Sequence, residues 1–137
     1  MSMAINENAV TSLTFPTYLD GRGELSVIEF DSNLPFEPKR MFYVRYPKGV
    51  RGKHAHKTTA ELIFMMSGSM RISLNDGRQC YERTLCDAQE GFYIAPLTWV
   101  EMFDFSADCI YAVLANEPYN NAGYIREWAQ FEQLCSS

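Results

Sequence analysis

The sequence predicts an antiparallel all-β fold, a sandwich or small barrel, with one short helix near the C-terminal end. Three observations carry this expectation. From Val10 to Asn116 the apolar residues fall in short runs, rich in β-branched and aromatic types and bounded by Gly, Pro, Asn or Asp, as successive strands do. Asn75-Asp76-Gly77 separates two such runs with the positive-φ chemistry of a tight hairpin turn. Helical spacing is scarce until Ile125, Trp128, Phe131 and Leu134 recur at intervals of three and four.

The elements follow in order. Val10–Phe15 and Leu25–Phe30 are the first two predicted strands. Pro35, Pro38 and Pro47 punctuate the chain around the third, Met41–Tyr46. Leu62–Met66 comes next, and Gly68 after it permits a sharp reversal into Met70–Leu74. The Asp-Gly turn should then pair Met70–Leu74 with Gln79–Thr84. Gly91–Ala95, Val100–Phe105 and Cys109–Ala115 complete the set, and Tyr124–Leu134 is the amphipathic helix, expected to pack on the β body. No internal repeat or linker-like segment divides the chain, so residues 1–137 read as one domain.

Composition narrows the function. Lys and Arg total 12 against 17 Asp and Glu, a net charge of −5, and no stretch gathers the basic residues into the patch that a phosphate backbone needs. A nucleic-acid role is not expected. No apolar run reaches the roughly 18 residues of a membrane span, and Met1–Asn8 lacks the pattern of a signal peptide. Cys80, Cys86, Cys109 and Cys135 form no CxxC pair, which fits reduced thiols in a cytoplasmic protein.

The chain has two histidines, His54 and His56. In extended chain, residues i and i+2 face the same way, so both imidazoles should project into one cavity if that face is the interior. Arg22, Arg40 and Arg51 individually read as surface charges, with reach to an anion at the same mouth as the alternative for Arg51, three residues before His54. Trp99 and Phe42 read as core aromatics, with stacking on a sugar or base as the alternative.

With Glu61 and Gly68, the histidines spell H-x-H-x4-E-x6-G, which resembles the first cupin motif, whose two His and Glu commonly ligate a metal inside a jelly-roll barrel. Gly91 and Pro96 match the second motif, but no histidine follows in Leu97-Thr98-Trp99-Val100-Glu101. Unless Glu101 substitutes, the ligand shell lacks an imidazole, and a metal-free pair of histidines suits proton transfer near neutral pH. No metal and no cofactor are therefore expected.

Lys39-Arg40-Met41-Phe42-Tyr43, Arg51-Gly52-Lys53-His54-Ala55-His56-Lys57, Trp99-Val100-Glu101-Met102-Phe103-Asp104-Phe105 and Tyr124-Ile125-Arg126 stand in the order found in WxcM-like cupins, and from Leu25 to Phe131 the chain is similar to their dTDP-4-keto-6-deoxyglucose 3,4-ketoisomerases. The resemblance implies a homodimeric cupin jelly roll that binds a dTDP-linked 4-keto-6-deoxyhexose and moves its carbonyl from C4 to C3 through an enediol, in deoxysugar and O-antigen or glycan biosynthesis. It assigns proton transfer to His54 as base, assisted by His56, and substrate contacts to Arg51, which would hold the diphosphate, and to Arg22 and Arg40. Tyr43, Glu61, Trp99 and Glu101 are further expected contacts. Three positions depart from the family pattern: an assisting tyrosine falls at Phe42, a common Gln at Glu61, and a common His or Arg at Val100. A metal-dependent cupin using His54, His56 and Glu61, and a non-catalytic nucleotide-sugar-binding cupin, are the alternative readings.

Overall fold

The structure is a computed structural model that describes residues 4–5, 11–32 and 34–136. Its strands are β1 (Ala4–Ile5), β2 (Ser12–Thr14), β3 (Thr17–Asp20), β4 (Gly23–Ser26), β5 (Arg40–Arg45), β6 (Arg51–His56), β7 (Glu61–Ser67), β8 (Met70–Asn75), β9 (Gln79–Leu85), β10 (Glu90–Ile94), β11 (Trp99–Phe103), β12 (Ile110–Ala115) and β13 (Tyr124–Ile125). A single 3-10 turn, Asn121–Gly123, precedes β13, and helix α1 spans Trp128–Ser136. Two sheets face each other, one in the order β1-β9-β8-β11-β6-β13 and the other β2-β10-β7-β12-β5, with the β3–β4 hairpin apart. All neighbours pair antiparallel except β1 and β9.

This is the predicted jelly roll. Strands β5 and β7 to β12 lie within two residues of their expected bounds. The Asp-Gly turn joins β8 to β9 as anticipated, with Gly77 at φ 93° and Asn75 Oδ1 accepting its N–H at 2.8 Å. Gly68, at φ 74°, carries the chain from β7 in one sheet to β8 in the other.

Three layers of apolar contact hold the sandwich. Between the sheets lie Ile63 and Met65 of β7, Met70, Ile72 and Leu74 of β8, Val100 and Met102 of β11, and Tyr111 and Val113 of β12. The alternate residues of β7 and β12, Leu62, Phe64, Ala112 and Leu114, pack outward under Phe15 and the segment carrying Ile28, Leu34 and Phe36. On the back of the other sheet Ala55, Trp99 and Ile125 are sealed by Phe131 of α1. Alternation along each strand thus feeds two layers, which is why β7 and β12 read as continuous apolar runs.

The departures from the sequence reading have physical causes. Val10 lies outside the described residues, and β2 is confined to Ser12–Thr14. Leu25–Phe30 is not one strand: β4 ends at Ser26, and Ile28 turns onto the outer layer. β3 and β4 form an exposed hairpin with no buried face, so no alternation marks Thr17–Asp20. β6 has no apolar run, yet it is paired by β11 on one edge and β13 on the other. The helix begins at Trp128; Tyr124 and Ile125 belong to β13, opposite His56 and Ala55.

Candidate active site

β6 organises the site. Its register with β11 runs Val100 to His54, Glu101 to Gly52 and Met102 to Arg51, so Lys53 is an extra residue and the strand bulges there. Val100 and Met102 both point into the core, so His54 and Arg51, their partners, point inward as well. Without the bulge, alternation from His54 would turn Arg51 to the outer face. Gly52 makes the bulge possible: its φ is +85°, and a Cβ there would lie 2.7 Å from the Val100 carbonyl oxygen.

The inward residues enclose a cavity of about 160 Å³ lined by Arg51, His54, Glu61, Tyr111, Tyr124 and Phe42 among others. His54 Nδ1 sits 3.0 Å from the Gly52 carbonyl. A carbonyl only accepts, so Nδ1 carries the proton and Nε2 keeps its lone pair. Burial, then the neighbouring His56, hold the His54 pKa below the usual imidazole value. The imidazoles of His54 and His56 meet edge to face with centroids 5.1 Å apart, and the Tyr124 ring lies 5.1 Å from the first and 4.4 Å from the second. His56 and Glu61 are 4% and 5% exposed. His56 Nε2 lies 3.4 Å from Glu61 Oε1, close enough for an ion pair but not aligned as a hydrogen bond. At the other end of β6, Arg51 Nε donates to the Tyr111 hydroxyl at 3.1 Å.

Of the residues expected from sequence, His54, His56, Arg51 and Glu61 converge here. Arg40 stands beside the site, its guanidinium 5.3 Å from the Phe42 ring and 5.6 Å from Tyr119, with a buried Nε that lacks an acceptor among the described residues. Four expected contacts lie away from this cavity. Tyr43 alternates with Phe42, pairs with outward-facing Ala112 and is 62% exposed, so it offers no hydroxyl to the cavity. Trp99 and Glu101 flank inward Val100 and therefore face outward: Trp99 packs against Trp128 and Phe131 and donates from Nε1 to Glu101 Oε2 at 2.9 Å. Arg22 sits in the turn of the β3–β4 hairpin, paired with Asp20 at 2.8 Å and in open solvent, apart from the cavity in its own chain.

The sequence does not single out Tyr111, and Tyr124 and Arg126 enter there only within the Tyr124-Ile125-Arg126 segment, with no role assigned. Arg126 stacks 4.4 Å over Tyr124, so Arg40, Arg51 and Arg126 all adjoin the lining. Glu101 cannot complete a metal shell from the outer face, and the inward position on β11 opposite His54 is held by Val100, an apolar residue. Among the described residues no three His, Cys, Asp or Glu side chains are grouped to hold an ion. The donor set does not fit a cupin metal.

A jelly roll with paired inward histidines, a buried carboxylate and an arginine-braced phenol defines a cupin-type site built for polar chemistry in a small chamber. The WxcM-like, C-terminal family model matches residues 8–136, and the chain belongs to this family. The TDP-4-oxo-6-deoxy-alpha-D-glucose-3,4-oxoisomerase of Aneurinibacillus thermoaerophilus is 40% identical over 129 residues, 93% of this chain and 91% of that protein. The sugar 3,4-ketoisomerase QdtA of Thermoanaerobacterium thermosaccharolyticum in complex with TDP superposes with a TM-score of 0.89 at 33% identity, over 94% of this chain and 96% of that one. A 3,4-ketoisomerase from Helicobacter canadensis superposes with a TM-score of 0.90 at 36% identity, over 94% and 98% of the two chains.

Proposed function

We propose that the protein is a 3,4-ketoisomerase of a dTDP-linked 4-keto-6-deoxyhexose, acting in deoxysugar biosynthesis with His54 as the base. The observation that carries this reading is the 3.0 Å contact of His54 Nδ1 with the Gly52 carbonyl: because a carbonyl only accepts, the neutral ring carries its proton on Nδ1 and presents a basic Nε2 in a chamber of about 160 Å³. That volume is below the roughly 300–1,000 Å³ of pockets that swallow a whole drug-sized ligand. It suits a sugar ring, with the nucleotide outside. Arg40 and Arg126 beside the lining supply positive charge for the diphosphate, whereas Arg51 is turned to Tyr111, and the unpartnered Nε of Arg40 gains an acceptor when an anion binds.

The reaction follows from ketone chemistry. The carbonyl at C4 acidifies the C3 proton, which Nε2 of His54 removes. The electron pair becomes a C3–C4 double bond, and the carbonyl π pair moves onto the C4 oxygen. A proton passes from the C3 hydroxyl to that oxygen, and another is returned to C4, leaving the carbonyl on C3. His56, beside His54 and Glu61, assists the proton movements.

We further read residues 1–137 as one catalytic domain, cytoplasmic and homodimeric. The four cysteines are free, which suits a reducing compartment. No helix among the described residues is long and apolar enough to cross a membrane. The exposed apolar hairpin with Tyr18, Leu19 and Leu25 and the open β5 edge with Met41 and Tyr43 favour a second copy as partner. The deciding experiment is proton NMR of dTDP-4-keto-6-deoxyglucose with the protein in deuterated water. Conversion to the 3-keto sugar with deuterium at C4 is expected; dTDP binding with neither conversion nor exchange would identify a binding module instead.

A further inference from the structure

Resting on that reading, we propose that Tyr111 is a catalytic residue: its hydroxyl, braced by Arg51, is the hydrogen-bond donor that stabilises the charge developing on the C4 oxygen during enolisation.

Tyr111 is buried on β12, stacked against Phe105, and yet it lines the same chamber as His54. Its one hydrogen bond among the described residues is received, from Arg51 Nε at 3.1 Å. Its oxygen is therefore engaged as an acceptor, while its own O–H has no acceptor among the described residues and remains to donate. A buried donor of this kind is costly unless something occupies it. A guanidinium donating to the phenol oxygen also polarises the O–H and makes it a stronger donor.

The two histidines and Glu61 are committed elsewhere. His54 Nδ1 is bound to Gly52, and its Nε2 must stay unprotonated to act as base. His56 Nε2 lies against Glu61, whose carboxylate, facing an oxyanion, would oppose the reaction. Negative charge on the C4 oxygen therefore belongs at the opposite end of the row that β6 makes from Arg51 through His54 to His56. There Tyr111 and Arg51 form a donor pair fixed before the substrate arrives, the arrangement that stabilises an oxyanion without reorganisation. The bulge at Lys53 and the register of β12 converge on this pair from residues sixty positions apart.

The test is Tyr111→Phe, which keeps the ring and its stacking and removes one hydroxyl. The variant is assayed beside the wild-type protein for initial rates with dTDP-4-keto-6-deoxyglucose, for deuterium uptake at C3 of residual substrate, and for dTDP affinity by calorimetry. Loss of one preorganised donor is expected to lower kcat by about 10², with KM and dTDP affinity within about threefold. C3 exchange and product formation should fall together, because both pass through the same enediolate. A loss in kcat below tenfold overturns the proposal. So does a fall in product formation with C3 exchange retained, which would make Tyr111 a proton donor at C4, or a rise in KM at unchanged kcat, which would make it a binding residue. If the hydroxyl also proves necessary for folding, site-specific 3-fluorotyrosine at position 111, which keeps the hydroxyl and lowers its pKa, must change kcat; an unchanged rate overturns the proposal. An inactive wild-type protein would instead refute the ketoisomerase reading, which separates the two failures.

Discussion

Gly52→Ala tests whether the bulge in β6 is what delivers Arg51 to the chamber. Gly52 has φ +85°, and the added Cβ would meet the Val100 carbonyl oxygen at 2.7 Å and the Met102 Cε at 3.0 Å. The first of these atoms is backbone in the paired strand and cannot move aside alone. Left-handed backbone on an L-residue costs about 1–2 kcal/mol, and relieving the contact by separating β6 from β11 adds strain, for a total of about 2–3 kcal/mol. In a domain of this size that corresponds to a fall in melting temperature of roughly 8–12 °C. Gly49 supplies the control, because it also has positive φ, +72°, but an added Cβ there meets nothing within 4 Å. Gly49→Ala should therefore lose only the backbone contribution, about 1 kcal/mol. Melting followed by circular dichroism measures both, and the variant's kcat should fall as Arg51 is pulled from Tyr111. If Gly52→Ala melts no lower than Gly49→Ala and keeps the wild-type kcat, the bulge does not position Arg51.

The remaining predictions concern the histidines and metal. His54→Asn should lower kcat by about 10²–10⁴ while dTDP affinity, read by calorimetry, stays within about threefold; an equal loss of affinity would make His54 a binding residue. Burial keeps His54 neutral below its ordinary pKa of 6.5, so the acid limb of kcat/KM should fall below pH 6.5, and a limb above that value would contradict the assignment. The sign for stability is fixed by the same shift: the unfolded chain takes up the proton first, so His54 contributes stability that is present above pH 6.5 and lost as pH falls through the lower folded value. The difference in melting temperature between wild type and His54→Asn should shrink over that window, and a difference that is constant with pH argues against it. Chelation and dialysis should leave activity unchanged; loss that Zn²⁺, Mn²⁺ or Fe²⁺ restores would recast Glu61 as a ligand beside His54 and His56.

The legible parts of this chain were those whose signals are local. The hairpin at Asp76-Gly77 and the apolar runs of β7 and β8 announce themselves within a few residues, and the two histidines need only strand alternation to share a face. β12 is different. Tyr111 and Val113 face the core while Ala112 and Leu114 face the outer layer, so both faces are apolar and alternation cannot tell which side Tyr111 takes. Arg51 and His54 are three apart, an odd interval that an unbroken strand would place on opposite faces, and only the bulge brings them together. Trp99 and Glu101 share a face that Val100 does not, but which of the two faces is the chamber is decided by the packing of β8 and α1 at a distance. Arg22 and the β3–β4 hairpin show the same limit, since an exposed ribbon buries nothing that could fix its register from sequence.

The distribution of polarity on the inner faces explains why β6 in particular can carry the chemistry. Inward positions of β8, β10 and β11 are apolar, from Met70, Ile72 and Leu74 to Phe92, Ile94, Val100 and Met102. Polar groups enter from β6 and from single positions on β7 and β12. Burying His56 and Glu61 together is expensive in desolvation, and each is tolerable only because the other is near. A strand burdened in this way has little apolar area of its own to hold it, and its anchoring comes from elsewhere. Both of its edges are hydrogen-bonded, by β11 and β13, and its outward residue Ala55 is sealed under Ile125, Trp99 and Phe131. The C-terminal helix therefore acts on the site without touching it, because Phe131 holds the back of the strand whose front carries His54 and His56. Rigid support behind a polar strand is what permits His54 to keep one tautomer and one orientation between turnovers, and the β13 pairing that places Tyr124 against both imidazoles comes from the same clamp.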